Sequence, residues 1–394
     1  MKRRPRDHSR PSFKTTAEQQ GERKKLALVL SGGGARAAYQ AGALRALIPH
    51  IEKNNDNFSI ILGSSIGAIN GLILAACLNR GFEEAVNQLE QLWRIRTFRN
   101  TFSGTPTQAF MRAIKISIWQ YMSPGPKPTS SAIFDPTPLM KQVDQVLTEH
   151  GGLSPEKRHP LLETVGVMTT IEGAERKPLL FLSSTEDRDK QFLDGASFEV
   201  CQVPTLTAKH GFASAALPSV LPPVELDTDQ GVIRLVDGGI SQNVPVDPAV
   251  RLGAERVIIV DISGRSWWLD HYGEPHDTRP TWEVPAGLQT FCMRPPDTFK
   301  LKNQVPFGPI LKSSVAQSTR KFIEAVGPTW PVFKLLKSKM GEALAYEVMS
   351  YVALDRDYLI ALMELGYSET RRMLTNKAEI DFKKNEDFKE LADL

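Results

Sequence analysis

The sequence predicts an α/β fold on a mainly parallel sheet, and three observations carry that prediction. Short apolar runs of strand length alternate with stretches of helical period, as parallel strands joined by crossover helices require. A glycine-rich turn, SGGGARAAYQAG (Ser31–Gly42), follows the first such run, and a second tight turn, GSSIG (Gly63–Gly67), follows the next. A hydrophobic content of 41% and a charged content of 24% over 394 residues suit a sizeable folded core and exclude collagenous, low-complexity and largely disordered classes.

The elements read off in chain order. Residues 1–25 hold nine Lys/Arg against Asp7, Glu18 and Glu22, so +6 sits there and −3 on the remainder. That head has too few apolar residues to offset the entropy of ordering, and residues 1–23 are expected to be a disordered basic tail. The tail is either simply solvated or a weak electrostatic tether to anionic lipid or nucleic acid. It lacks the apolar middle of a secretory signal. From Lys24 the reading is strand LALVL, glycine turn, helix from about Ala37 to Ile51, polar loop KNNDN, strand FSIIL, turn GSSIG and an apolar helix from about Ala68. The uncharged run Ser59–Asn79 has the length of a membrane span. Its glycines, Ser64, Ser65 and Asn70 assign it instead to a buried strand and helix. Residues 82–98 place Phe82, Val86, Leu89 and Trp93 at the spacing of one helical face, packed on the sheet.

Residues 99–135 interrupt this rhythm. Phe110, Ile114, Ile118 and Tyr121 share a helical face between the breakers SGTPT and SPGPKPTSS, which suits a packed surface helix or, alternatively, a lid or membrane-contact insertion. Strands resume with ETVGVMTT, PLLFLSS, GVIRLVDGG and ERVIIVDIS, and ALPSVLPPVEL reads as a proline-ordered connection. The sheet is expected to end near Ser263, so the catalytic unit is placed at residues 24–265. Beyond it, SWWLDHYGEPHDTRPTW reads as loop, and KMGEALAYEVMSYVAL and RDYLIALMELG read as helices, giving a mainly helical region over 266–394 that ends in the solvated KKNEDFKELADL. Cys77, Cys201 and Cys292 are odd in number and far apart, which suggests neither a disulfide framework nor a zinc site. A reducing compartment fits this usage, and no cofactor or metal is expected.

Two turns carry chemistry. Gly32, Gly34 and Ala37 fit G-x-G-x-x-[GA], the fingerprint of a dinucleotide-binding turn, whose N–H groups approach a pyrophosphate. The same donors serve the oxyanion of an acyl transfer. GSSIG fits G-x-S-x-G between a strand and a helix, which puts Ser65 at the apex of a sharp turn, while Gly63 and Gly67 let strand and helix pass. A serine nucleophile needs a base. His50, His150, His159 and His210 precede the late acids. His271 and His276 lie in a polar loop with Asp270 and Asp277, a cluster that also has the composition of a metal site. Asp237 is better placed, because it ends the strand GVIRLV and begins DGG, where Gly238 and Gly239 leave room around the carboxylate.

SGGGARAAYQAG, GSSIG and DGG occur in the order and context of patatin-like phospholipases, and the sequence resembles that family over about residues 24–265. ASAALPSVLPP and the D-x-x-P-L pattern in IFDPTPLMKQV strengthen the resemblance. It implies a three-layer α/β/α domain in which Ser65 is the nucleophile and Asp237 its base, without histidine. It further implies an oxyanion site around Gly32, Gly33, Gly34 and Arg36, with Gly63, Gly67, Gly238 and Gly239 supporting the turns. Arg36 is expected to orient the loop or to attract a phosphodiester headgroup. The implied activity is hydrolysis of lipid acyl esters, phospholipid or lysophospholipid, in the cytoplasm and at a membrane surface, with no nucleic-acid partner. The aromatic segments 110–121 and 267–282, with Trp267, Trp268 and Trp282, suit acyl chains or a bilayer surface, and equally a core. One departure is Ala37, where the family has glycine; alanine there is strained if the backbone has positive φ. Two other readings compete. A dinucleotide-binding oxidoreductase needs an acid at the end of the second strand, and Glu52 lies at the right distance but before that strand. A catalytically silent lipid- or protein-binding relative keeps the fold without the reaction.

Overall fold

A computed structural model describes residues 24–104, 132–185, 197–228, 231–263, 288–293, 307–315, 318–374 and 380–382. The basic head 1–23, the helical face Phe110–Tyr121, the 267–282 segment with its tryptophans and with His271 and His276, and the KKNEDFKELADL end lie outside the described residues.

The chain opens with β1 (Leu26–Leu30), a one-turn 3-10 helix (Gly34–Ala37), α1 (Ala38–Lys53), β2 (Phe58–Ser64), α2 (Ile66–Cys77) and α3 (Phe82–Arg94). It continues through α4 (Thr137–Glu149), β3 (Thr164–Ile171), β4 (Pro178–Ser184), β5 (Glu199–Gln202), α5 (Ala208–Ser214), β6 (Val224–Thr228), β7 (Gly231–Asp237), α6 (Val246–Arg251), β8 (Arg256–Val260) and β9 (Gln289–Met293). Five helices follow: α7 (Phe307–Val315), α8 (Thr319–Val326), α9 (Trp330–Met340), α10 (Glu342–Met349) and α11 (Arg356–Leu374).

The strands form one sheet in the order β5-β4-β3-β2-β1-β8-β9, with β7 joined to β3 and β6 paired to β7. β1 pairs in parallel with both β2 and β8, as do β2 with β3, β4 with β5 and β8 with β9; the pairs β3/β4, β3/β7 and β6/β7 are antiparallel. Along β1, Leu26, Leu28 and Leu30 face a core with α1, α2 and α3, while Ala27 and Val29 face a second core with Val246, Ala249 and Leu252. Burial on both faces is why these strands read as continuous apolar runs rather than alternating ones. The membrane-span-length run resolves into the end of β2, a turn and the twelve-residue α2. Among the described residues no helix is long and apolar enough to cross a membrane.

The sheet does not end near Ser263. QTFCM pairs with β8 residue for residue, from Arg256↔Gln289 to Val260↔Met293, so the chain beyond residue 265 supplies an edge strand. Five residues without alternation carry little strand signal of their own; the neighbouring β8 supplies the ladder. Likewise, the proline-ordered connection ends in strand, because its VEL begins β6, the partner of β7.

The C-terminal helices share the first core. Tyr358, Leu359, Leu362 and Met363 of α11 are buried with Ala38, Ala41 and Leu44 of α1. The two helices touch backbone to backbone: a Cβ on Gly42 would fall on the Met363 carbonyl, and one on Gly366 would fall on that of Tyr39. The Tyr39 hydroxyl donates to Glu369 Oε2 at 2.8 Å and ties the same pair of helices.

Candidate active site

Three strand ends meet where the sequence motifs lie. β2 ends at Ser64, and Ser65 turns the chain into α2 with φ 53° and ψ −132°. A non-glycine residue in that region is strained by about 1–3 kcal/mol and persists only where its surroundings hold it. Here the Ser65 N–H donates to Ser214 Oγ at 2.7 Å, and that hydroxyl in turn donates to the Met168 carbonyl. The flanking glycines allow the turn: a Cβ on Gly63 would strike Gly67 and Ala68, and one on Gly67 would strike Leu30 and Ser31.

Asp237 arrives from β7, and β3 is the common ruler. On β3, Met168 pairs with Ser64, the last residue of β2, and the next residue, Thr169, pairs with Asp237. The Ser65 hydroxyl accordingly donates to Asp237 Oδ2 at 2.6 Å, and Gly239 N–H donates to Oδ1 at 2.7 Å. Gly238 packs against the Met168 carbonyl with no space for a side chain. Asp237 is only 5% exposed, and its burial pushes the carboxyl up to about 6, against the lowering effect of the Ser65 and Gly239 hydrogen bonds. That lies close to the range of an ordinary imidazole. Among the described residues no histidine hydrogen-bonds Ser65 or Asp237. His210 instead caps α5 with Thr207, and burial brings it down to about 4.

The glycine turn divides its donors. Gly32 N–H is engaged by Asn243 Oδ1 at 3.1 Å, and Ala35 N–H by the Tyr351 carbonyl at 2.8 Å. The N–H groups of Gly33 and Gly34 have no acceptor among the described residues, which leaves them available to a ligand anion. Gly34 takes the positive φ, +59°, whereas Ala37 lies in the 3-10 helix with φ −65° and is unstrained; the helix begins early enough for alanine to fit.

Two residues expected at the oxyanion site have their polar groups engaged within the protein, although Gly32 lies directly against Ser65. Gly32 spends its N–H on Asn243. The Arg36 side chain, 2% exposed, turns into the C-terminal helices, where Nη2 donates to Glu347 Oε1 at 2.6 Å and Nε to Ser350 Oγ at 2.8 Å. Its guanidinium lies 3.5 Å from the Tyr351 ring centroid and 4.5 Å from that of Phe307. Planar stacking and a carboxylate partner suit a buried guanidinium better than an open groove would. Arg36 therefore anchors the loop and is not turned toward a headgroup.

A cavity of about 210 Å³ opens at Ser65, Asp237 and Gly34. It runs along Ile66, Ile69 and Ile73 of α2, Leu89 and Trp93 of α3, and Leu139 and Val143 of α4, with Tyr351, Val352 and Leu354 closing another side. Asp135 of the D-x-x-P-L pattern starts α4 by accepting from the Thr137 N–H at 3.0 Å and hydroxyl at 2.6 Å, and so sets Leu139 in the wall. The dinucleotide reading has no support in this geometry: β2 ends in Gly63 and Ser64 without an acid, and Glu52 is exposed on α1.

Sequence reasoning passed over Ser214, Asn243, Glu347 and Tyr351. Ser214 and Asn243 stand beside quoted motifs, in ASAALP and in DGGISQN, and a search for small polar residues flanking the turns was the available signal. Glu347 and Tyr351 are more than 300 residues from the loop they hold and carry no local signal.

Fold and site together define a class: a mainly parallel α/β protein that carries a glycine turn, a serine elbow and a buried aspartate at the ends of β1, β2 and β7. Residues 28–250, more than half of the chain, match the family model of patatin-like phospholipases, and the chain belongs to that family. Among solved structures it is similar to VipD from Legionella pneumophila, with 13% identity and a TM-score of 0.33 over 86% of this chain and 67% of that one. It is also similar to human GIVD cytosolic phospholipase A2, with 12% identity and a TM-score of 0.41 over 88% of this chain and 58% of that one. A third is the ExoU–SpcU complex of Pseudomonas aeruginosa, with 14% identity and a TM-score of 0.30 over 88% of this chain and 74% of that one. The chain thus spans less than two thirds of the human phospholipase. No curated protein matches it by sequence.

Proposed function

We propose that the protein is a serine acyl-ester hydrolase acting on lipids, phospholipid or lysophospholipid, through a Ser65–Asp237 dyad. One observation carries the reading: the Ser65 hydroxyl, hydrogen-bonded to a buried carboxylate at 2.6 Å, stands at the mouth of an apolar cavity. Membership of the patatin-like phospholipase family supports it. The site of action is the surface of a membrane, reached from the cytoplasm.

In the first half-reaction Ser65 Oγ attacks the ester carbonyl carbon as its proton passes to Asp237. A carboxyl raised to about 6 is mostly ionised at neutral pH, yet basic enough to take that proton. The oxyanion meets the free N–H groups of Gly33 and Gly34, with the N-terminus of α2 adding its positive end. The tetrahedral intermediate collapses, the alcohol leaves with the proton held by Asp237, and the acyl chain stays on Ser65 in the cavity. Asp237 then takes a proton from water, whose oxygen attacks the acyl-enzyme; the fatty acid leaves and Ser65 regains its proton. With no imidazole at the dyad among the described residues, burial moves the carboxylate toward the histidine range.

The test is Ser65→Ala on short p-nitrophenyl esters and on lysophospholipid, with fluorophosphonate labelling of the parent. We expect at least a thousandfold loss of kcat and a single label on Ser65. Equal turnover in variant and parent refutes the assignment.

A further inference from the structure

The cavity beside Ser65 contains a charge that the mechanism does not use. Three arginines are buried among the described residues, and two are fully accounted for: Arg36 by Glu347 and Ser350, and Arg158 by the carbonyls of Leu162 and Ser183 together with Ser183 Oγ. The third, Arg96, is 4% exposed and lines the same cavity as Ser65 and Asp237. Its side chain has one partner among the described residues: Nη1 donates to Gln142 Oε1 at 2.8 Å. Gln142 is itself held in place, because its Nε2 donates to the Asn100 carbonyl at 3.2 Å. Among the described residues no carboxylate lies within ion-pair distance of Arg96, and no acceptor there meets its Nε or Nη2. A buried cation with a single neutral partner is costly unless something else completes it.

Its place in the cavity says what that partner is. Trp93 Nε1 donates to Asn70 Oδ1 at 3.1 Å and ties α3 to α2, and Arg96 follows just after α3 ends at Arg94. Its guanidinium is held at Gln142 of α4, the neighbour of the wall residue Val143, and Arg96 lines the same cavity as Ser65 and Asp237. A lipid whose ester reaches Ser65 therefore shares this cavity with the Arg96 charge, and an anionic oxygen group on that lipid is the partner the charge lacks.

We propose that Arg96, oriented by Gln142, is an anion subsite of the Ser65 cavity that takes a negatively charged oxygen group of a lipid bound there. Two groups have that chemistry: the phosphodiester of a glycerophospholipid leaving group and the carboxylate of the fatty acid product. Burial with no opposing carboxylate brings the guanidinium down to about 10, which leaves it cationic at physiological pH. Arg96 takes no part in the bond-making and bond-breaking steps of this scheme and acts on which lipid binds. The inference rests on the hydrolase reading above.

The experiment compares the full chain with Arg96→Gln and Gln142→Glu on lauroyl-lysophosphatidylglycerol and on monolauroylglycerol, which lacks the phosphate. Inhibition of each protein by free laurate is measured alongside, and laurate binding is followed by calorimetry. If the phosphodiester is the anion, the ratio of kcat/KM between the two esters falls by about ten- to a hundredfold in Arg96→Gln, the range for lost hydrogen bonds to a charged group. If the carboxylate is the anion, that ratio holds while the laurate inhibition and dissociation constants rise by a similar factor. Gln142→Glu keeps Arg96 and gives it an internal carboxylate, so it reproduces the same loss in a protein of equal or higher thermal stability, even where Arg96→Gln folds poorly. An unchanged ratio and unchanged laurate binding in both variants overturn the subsite. A parent chain that hydrolyses neither ester, yet binds laurate in an Arg96-dependent way, overturns the hydrolase reading and leaves the subsite standing.

Discussion

Replacing Asp237 with Asn should abolish turnover and stabilise the fold, and the two effects share one cause. Burial raises the Asp237 carboxyl from 3.8 to about 6, so the folded state binds this proton more tightly than the unfolded chain does. Ionisation therefore opposes folding. The penalty is absent below about pH 4, grows as pH rises through the folded-state value near 6, and is complete above it. A shift of about two units corresponds to about 3 kcal/mol at pH 8. An asparagine has the shape to keep both contacts, with Oδ1 accepting from Gly239 N–H and Nδ2 donating to Ser65 Oγ, so it removes the charge with little repacking. Urea midpoints and Tm of parent and Asp237→Asn, recorded between pH 4.5 and 8, check this. The variant should gain up to about 3 kcal/mol at pH 8 and lose that advantage as pH falls toward 4. Over the same range the parent's kcat/KM should decline tenfold per unit below about pH 6, because a protonated base accepts nothing. A variant less stable than the parent at pH 8, or a stability difference that does not change with pH, refutes the reasoning.

Further expectations concern the parts that hold the site. Glu347→Ala leaves the Arg36 guanidinium buried without its carboxylate and should cost about 3–5 kcal/mol in chemical denaturation, with a lower kcat because the glycine loop loses its anchor. Gly34→Ala forces a side chain into positive φ and onto the Tyr351 carbonyl; a loss of more than about 1–2 kcal/mol and at least about a hundredfold in kcat should follow, read by Tm and steady-state kinetics. Ser214→Ala removes the acceptor of the Ser65 N–H and the donor to Met168, and should lower stability by about 1–3 kcal/mol while also depressing kcat. Unchanged stability in Ser214→Ala would show that the elbow is held by other contacts.

The sequence by itself determined the class of fold, the nature of each turn and the residues at their apices. LALVL and FSIIL read as buried strands because both their faces are covered. SGGGA and GSSIG read as turns because glycine and small residues satisfy conformations set by immediate neighbours, and Asp237 was visible as an acid ending a strand. These are local properties, decided within a few residues of backbone. The relation between them is not local. Ser65 and Asp237 are 172 positions apart, and they meet because β3 pairs with β2 up to Met168 and with β7 from Thr169 onward. No pattern within either motif encodes that succession. The direction of Arg36 was likewise undecided in sequence, where it reads either as a residue that orients the loop or as one that attracts a headgroup. Glu347, Ser350 and Tyr351 of the C-terminal region decide it by giving the guanidinium a carboxylate and a stacking face. The same distance effect hid β9, whose five residues become a strand only against β8. Turn chemistry follows from steric limits on neighbouring dihedral angles, whereas strand order and buried ion pairs follow from contacts between segments far apart in the chain, and only the folded structure brings those together.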